Sequence, residues 1–281
     1  AQGGIAATIG EHDSPELHIE DTLVAGAGIS DPAAVRVLCE EGPARVHELI
    51  NLGVPFDTHD GAIALTREAA HSERRILHAG GDATGAAIET TLAGVVANTN
   101  VDVRAWTLAT EIMLENGQAV GVRTLDARTG ERGEVRAKRI VLATGGAGQL
   151  FQATTNPTVA TGDGVALAYR AGAGVSNMEF FQFHPTALRL AGAPGFLISE
   201  AVRGEGGFLR NVAGERFMLK LHPDAELAPR GVVARGIAAE MVSTDADHVY
   251  LDVTHLPADL VLLRFPTIAK VCRSHGLDIT K

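Results

Sequence analysis

Apolar positions in the first hundred residues recur at helical spacing, punctuated by residues that start and stop helices. Asp13-Ser14-Pro15-Glu16 offers a capping side chain, a proline suited to the first helical position and an acid for the first turn. It predicts a helix to about Ala25, stopped by Gly26-Ala27-Gly28. Asp31-Pro32 opens a second helix, Glu41-Gly42-Pro43 breaks it, and a further helix ends near Leu52-Gly53. Residues 57–82 mix His, Asp, Arg and Gly without a clean period and read as loop, and residues 83–96 are helical in pattern again.

The period then changes to two. Residues 101–106, 111–115, 119–126 and 134–143 alternate and are rich in Val, Leu and Ile, the pattern of strands. Asn116-Gly117 is a two-residue hairpin signal because both positions tolerate positive φ, and Arg128-Thr129-Gly130 is a second turn. The strand ending 139–143 runs into Thr144-Gly145-Gly146-Ala147-Gly148, the way an α/β fold presents backbone N–H groups to a nucleotide. Thr161-Gly162-Asp163-Gly164 precedes a helix over 165–171 whose first turn suits another part of the same ligand. From about 177 a mixed α/β pattern follows, with a helix over 234–241, a strand over 248–253 and two short helices over 257–276 broken at Pro266. These patterns place a domain boundary near 178, giving 1–178 and 179–281.

Composition narrows the possibilities. With 281 residues, 46% of them hydrophobic, the chain can bury a core and divide into two domains. Its net charge of −10 argues against a nucleic-acid partner, which needs a basic surface, but leaves an anionic small ligand open, since that responds to its pocket's local field. The two cysteines, Cys39 and Cys272, are far apart and lack the spacing of a metal site, so they read as buried thiols and no metal is expected. No apolar run approaches the ~20 residues needed to span a bilayer and no signal peptide precedes the first helix, so the expected location is cytoplasmic. The opening AQGGIA begins inside a glycine-rich loop and the end at Lys281 follows a helical segment; both termini read as cut.

Eight motifs occur together: AQGGIA (1–6), LTREAAHSERRILHAGGDATG (65–85), ATGGAG (143–148), TTNP (154–157), TGDG (161–164), EFFQFHPTAL (179–188), SEAVRGEGG (199–207) and ELAPR (226–230). In this order they resemble the succinate dehydrogenase and fumarate reductase flavoprotein family. Leu65-Thr66-Arg67-Glu68, His71-Ser72 and Arg74-Arg75 resemble its L-aspartate oxidase branch rather than the dicarboxylate dehydrogenases. The resemblance implies an α/β (α+β) fold: a Rossmann-type FAD-binding domain with an inserted mixed α/β capping domain. Here the flavin domain is incomplete, since the first βαβ unit with its GxGxxG loop would precede Ala1, and the capping domain is incomplete at its C-terminus.

The same resemblance implies the chemistry. Oxidising an amino acid at a flavin moves a hydride from Cα to the flavin N5 while the amine loses a proton, so a site must neutralise two carboxylates and hold an ammonium. Arg230 matches the family's catalytic arginine, and Glu200 and Arg203 match its proton relay; an ordinary salt-bridge network is the alternative. His184 and Gln182 match side chains that bond a substrate carboxylate, although a lone His is more often a satisfied core residue. Ser199 stands where the family usually has Thr and keeps the hydroxyl. Glu68 matches the residue facing the substrate ammonium, against the alternative of a pair with Arg67, Arg74 or Arg75. For FAD, the matches are Ala1, Gln2, Gly3 and Gly4 beside the ring, and Leu108 and Ala109 on the adenine side. Thr144, Gly145 and Gly146 match the nucleotide lining and Asp163 the ribityl contact, with plain turn-making as the glycines' alternative. Arg235 is a second candidate cation, equally suited to pairing on its own helix.

The reading implied is oxidation of L-aspartate to iminoaspartate with oxygen or fumarate as acceptor, leading through quinolinate synthase toward NAD. Two rivals stand beside it: a fumarate reductase or succinate dehydrogenase flavoprotein subunit, and an inactive or flavin-free fragment.

Overall fold

The computed structural model describes residues 3–190, 192–193 and 195–281. In chain order its elements are β1 (Ile5–Ala6), α1 (Pro15–Ala25), α2 (Pro32–Asn51), β2 (Thr58–His59), β3 (Ala62–Ile63), β4 (Leu65–Thr66), β5 (Ile76–Leu77) and α3 (Thr84–Ala97). They continue with β6 (Thr107–Glu115), β7 (Gln118–Asp126), β8 (Arg132–Arg136), α4 (Asp163–Arg170), α5 (Ala201–Gly204) and β9 (Phe208–Arg210). The last are α6 (Arg230–Ser243), β10 (Tyr250–Asp252), α7 (Ala258–Arg264) and α8 (Pro266–Ser274). It is a mixed helix and sheet fold.

Two compact units form, one of Ala1–Thr99 with Phe183–Lys281 and one of Asn100–Gln182. This differs from the expected division at 178, because the first hundred residues are tied to the last hundred. The buried Asp82 carboxylate accepts from the Thr267 and Ile268 N–H groups at 3.0 and 2.9 Å, satisfying donors at the start of α8. Gly81 lies against the preceding turn: at φ +72°, a Cβ there would sit 2.5 Å from the Arg264 carbonyl oxygen. Asp57 holds the same corner, accepting from Gly80 and Gly81 N–H at 2.8 and 3.0 Å.

Helix starts follow their caps. Ser14 Oγ accepts from Leu17 N–H, Asp31 accepts from Ala33 and Ala34 N–H, and a proline takes the first turn of each helix. The expected break at Pro43 does not occur; α2 runs through it. Proline removes one donor, but Val35, Cys39 and Val46 keep helical spacing across it and all bury, so packing holds both halves on one axis. Residues 57–82 are not plain loop. They contain the hairpin β2–β3, and β4 and β5 form an antiparallel sheet of order β1-β5-β4 with β1. Strands of two residues are too short for a period-two pattern to show. Both thiols are buried, Cys39 with Ile19 and Val35, and Cys272 with Val261, Phe265 and Ile268.

In the other unit, β6, β7 and β8 form an antiparallel meander. Asn116 and Gly117 make its tight turn at φ +50° and +77°. Two expected strands differ. Residues 101–106 form none, and of 134–143 only the start joins β8, leaving Val141 86% exposed. A strand of the parallel, doubly covered kind needs neighbours on both sides, and among the described residues every strand pair is antiparallel. Among the described residues no helix is long and apolar enough to cross a membrane.

Gly81→Ala is expected to destabilise the protein by about 2–4 kcal/mol, combining a left-handed backbone with a steric overlap. Gly28→Ala, also at positive φ but with open space around it, is expected to cost only about 1–2 kcal/mol. Urea unfolding of the two variants checks the difference.

Candidate functional site

Glu200 stands at the start of α5, is 5% exposed, and divides its carboxylate between two guanidinium groups. Oε2 accepts from Arg230 Nε, and Oε1 lies 3.2 Å from Arg203 Nη2. Arg203, one helical turn on, is fully buried; its Nη1 donates to the Glu226 carbonyl oxygen at 2.5 Å. Neither its Nε nor its Nη2 makes a hydrogen bond among the described residues, so the Glu200 contact is one of charge. Burial and the charge of Arg230 push the Arg203 pKa below the ordinary guanidinium value, against the pull of Glu200. Glu226 is in turn held by Arg216, at 2.8 and 2.6 Å, and by Leu209 N–H at 3.1 Å. Reading ELAPR for its arginine alone missed Glu226; a carboxylate at the head of that motif was the available signal.

Glu68 joins this cluster from the opposite half of the unit. Gly204 makes the approach possible, since a Cβ there would lie 2.9 Å from the Arg67 carbonyl oxygen. The Glu68 partner is His78, Nε2 to Oε1 at 3.1 Å, which is none of the three arginines considered from the sequence. Burial works against the Glu68 charge, but the His78 hydrogen bond and the charge of Arg230 help to outweigh it and hold its pKa below the ordinary value. His184 completes the group. Residues 186–188 pair with 196–198, Leu188 N–H to Phe196 O at 2.8 Å and Ile198 N–H to Thr186 O at 3.1 Å, and the chain bends at Pro185 so that Thr186 N–H donates back to His184 Nδ1 at 3.2 Å. Burial, then Arg230, lowers the His184 pKa to about 4. Ser199 is buried and accepts from Ala201 N–H at 3.3 Å, leaving its own proton to donate.

Arg75, offered by the sequence only as a partner for Glu68, has a structural task. Fully buried, it makes a two-pronged pair with Asp13 at 2.8 Å for each bond and a further pair with Asp21. Asp21 also accepts from Ser72 N–H and Oγ at 2.8 Å each. The segment carrying Glu68 is thereby fastened to α1.

The glycine loops lie in the second unit and contact each other. Gly162 N–H donates to Gly146 O at 3.1 Å, and a Cβ on Gly164 would overlap Thr144 Oγ1 at 1.8 Å. Gly145 has φ +74° with open space beside it, and Thr161 Oγ1 donates to Asp163 at 2.8 Å at the start of α4. The TTNP segment braces the loop through Gln149, whose Nε2 donates to the Asn156 and Pro157 carbonyls at 2.9 and 3.2 Å. Close contacts require glycine at 148 and 164, and a left-handed backbone favours it at 145 and 162. Leu108 and Ala109 lie on β6 opposite Leu125 and Thr124. Gln182 belongs to this unit. In the first unit, Gly4 packs on Ile76 and Leu77 while Gly3 faces open space. Ala1 and Gln2 lie outside the described residues. Arg235 sits on α6 beside Gly231.

The structure therefore brings Glu68, His184, Glu200, Arg203 and Arg230 into one electrostatic group. A recess of about 850 Å³ opens elsewhere in the same unit. It shares His184 but is lined mainly by apolar residues such as Leu209, Ile237, Val253 and Phe265, and contains none of the other four.

A family model described as FAD binding domain matches residues 1–281. L-aspartate oxidases of Nostoc sp. and Streptomyces coelicolor are each 51% identical to this chain, over 99% of it and 49% of their own length. The chain thus spans about half the length of these curated relatives. Among solved structures, a mutant E. coli quinol fumarate reductase superposes with a TM-score of 0.90 at 28% identity, over 99% of this chain and 51% of the other.

His184 has a folded-state pKa of about 4 against 6.5 for the free side chain, so between these values the unfolded chain binds the extra proton. Stability from this residue is complete above about pH 6.5 and is lost as pH falls toward 4. The expected result is an imidazole that stays neutral down to about pH 5 in an NMR titration. His184→Gln is expected to flatten the decline in stability over that window.

Proposed function

The chain belongs to the FAD binding domain family, and from that premise we propose that it carries the reaction site of an FAD-dependent L-aspartate oxidase. The observation that carries the reading is the meeting of an ionised Glu68 with Arg230, Glu200 and Arg203. L-Aspartate presents one ammonium and two carboxylates; the group presents a carboxylate for the first and two guanidinium groups, with the uncharged His184 and the Ser199 hydroxyl, for the others. A dicarboxylate lacking the amine would meet the Glu68 charge without a cation to offset it, which disfavours a fumarate reductase or succinate dehydrogenase role.

FAD is the cofactor, and the residues present fit it. Within the unit of residues 100–182, Gly145 and Gly146, with Thr144 and Asp163, are the residues that would hold its nucleotide and ribityl parts. When bound, the flavin supplies the two-electron acceptor.

The side chains supply binding and proton movement. Glu68 pairs with the substrate ammonium and so fixes which face of Cα points outward. Arg230 lies nearest the reacting carbons and takes a proton while transiently neutral. Arg230 becomes neutral by giving its Nε proton to Glu200 Oε2, along a contact already formed, and so can take the proton that the substrate ammonium releases; Glu200 keeps the transferred proton. A guanidinium gives up its proton only where its charge is penalised, and the positive charge of the buried Arg203, 3.2 Å from Glu200 Oε1, adds to that penalty. The product is iminoaspartate, with oxygen or fumarate reoxidising the cofactor and quinolinate synthase as the consumer on the way to NAD. The reading carries a cytoplasmic location with it.

In the flavin-loaded holoenzyme, L-aspartate added without oxygen is expected to bleach the visible flavin bands, and succinate is not. Arg230→Leu is expected to slow that bleaching by about 10³-fold or more while the flavin spectrum stays that of bound cofactor. Rapid bleaching in the variant would remove Arg230 from the mechanism, and bleaching by succinate in the wild type would return the protein to the dehydrogenases.

A further inference from the structure

The Glu68 carboxylate is itself held, and by a residue to which no role has been given. His78 is 2% exposed and sits at the end of β5, in the run Arg74-Arg75-Ile76-Leu77-His78. Its Nε2 reaches Glu68 Oε1 at 3.1 Å and its Nδ1 lies 3.3 Å from Thr66 Oγ1 on β4. An ionised carboxylate only accepts, so Nε2 carries the proton of that bond; Thr66 Oγ1, which also donates to the Ile76 carbonyl at 3.5 Å, lies within hydrogen-bonding distance of Nδ1. The ring is confined sterically as well. A Cβ on Gly4 would come within 3.0 Å of His78 Cε1, and the His78 carbonyl oxygen accepts from Asp57 N–H at 2.8 Å. Both nitrogens of the imidazole therefore have partners, and its Cε1 edge lies against the Gly4 backbone.

We propose that His78 is a positioning residue for Glu68 and, through it, the determinant by which the site selects an amine-bearing dicarboxylate over one without an amine. The inference rests on the L-aspartate reading above. Glutamate has three rotatable bonds, and an unheld Glu68 would swing toward Arg230 and spend its charge on a guanidinium. With Oε1 bound by His78, Oε2 has no hydrogen bond among the described residues and is left for an ammonium. Thr66 fixes the ring orientation that this requires, in the manner of a third group orienting a His–carboxylate pair.

The test uses the flavin-loaded holoenzyme with three variants, His78→Leu, His78→Gln and Thr66→Val. Steady-state kinetics give KM and kcat for L-aspartate, and perturbation of the flavin spectrum gives the Kd of succinate, a readout independent of turnover. In H78L, KM for L-aspartate is expected to rise about tenfold or more, the loss of one charge-assisted hydrogen bond. The succinate Kd is expected to stay within about twofold or to fall, because an unsupported Glu68 repels a second dianion less. H78Q keeps an N–H in reach of Glu68 and should recover most of the L-aspartate affinity; T66V should move in the direction of H78L by a smaller factor. Equal weakening of both ligands in H78L and T66V, or unchanged KM in all three, overturns the inference while leaving the oxidase reading intact. A wild-type holoenzyme that binds succinate but does not oxidise L-aspartate overturns the oxidase reading and this inference with it.

Discussion

A buried carboxylate shared between two arginines constrains everything around it. Glu200 has one oxygen committed to Arg230 and the other to Arg203, and removing either partner would leave a charge in a dry setting, at a cost of several kcal/mol. Arg203 is buried with one donor met by the Glu226 carbonyl and its charge balanced by Glu200, 3.2 Å from Nη2. Glu226 can be buried only because Arg216 and the Leu209 N–H meet its oxygens. The chain of dependence runs from α5 through the segment before α6 to β9, so the elements that carry the charged group cannot shift singly.

A second set of constraints brings Glu68 to that group. Arg75 anchors the 65–77 segment to α1 through Asp13 and Asp21, and Asp57 and Asp82 fasten the following glycine turn to its own sheet and to α8. Gly204 then lets α5 come within contact of the Arg67 backbone. Each fastening is a carboxylate meeting backbone N–H groups or a guanidinium, and each joins residues distant in sequence. Those at Arg75 and at Asp82, whose side chains are buried, keep their strength best. The result is a site in which opposite charges are held close but not merged: Glu68 is satisfied by His78, and Glu200 by the two arginines.

Much of this was legible in the sequence. Asp13-Ser14-Pro15 and Asp31-Pro32 start helices where local chemistry says they should, and Asn116-Gly117 turns a hairpin, because caps and tight turns depend on neighbours a few residues away. The motifs around Glu68, His184, Glu200, Arg203 and Arg230 marked these positions as candidates. Pro43 and residues 57–82 misled for the complementary reason. A helix crosses a proline when its apolar face is packed on both sides, and two-residue strands form when partners elsewhere hold them. The strand expected over 139–143 shows the same dependence in reverse, since its alternation cannot become a parallel strand without flanking strands.

What the sequence determined by itself was therefore what short-range chemistry controls: the helix caps, the hairpin turn, the glycine loops and the inventory of charged residues. Which of those charges meet was decided by the tertiary structure alone. Three arginines near Glu68 in sequence were equally plausible partners, yet Arg75 turns to Asp13 and Asp21, and His78, ten residues away, takes the carboxylate. A buried ion pair forms with the group whose own desolvation is best repaid at that point in space, and spacing along the chain does not report that.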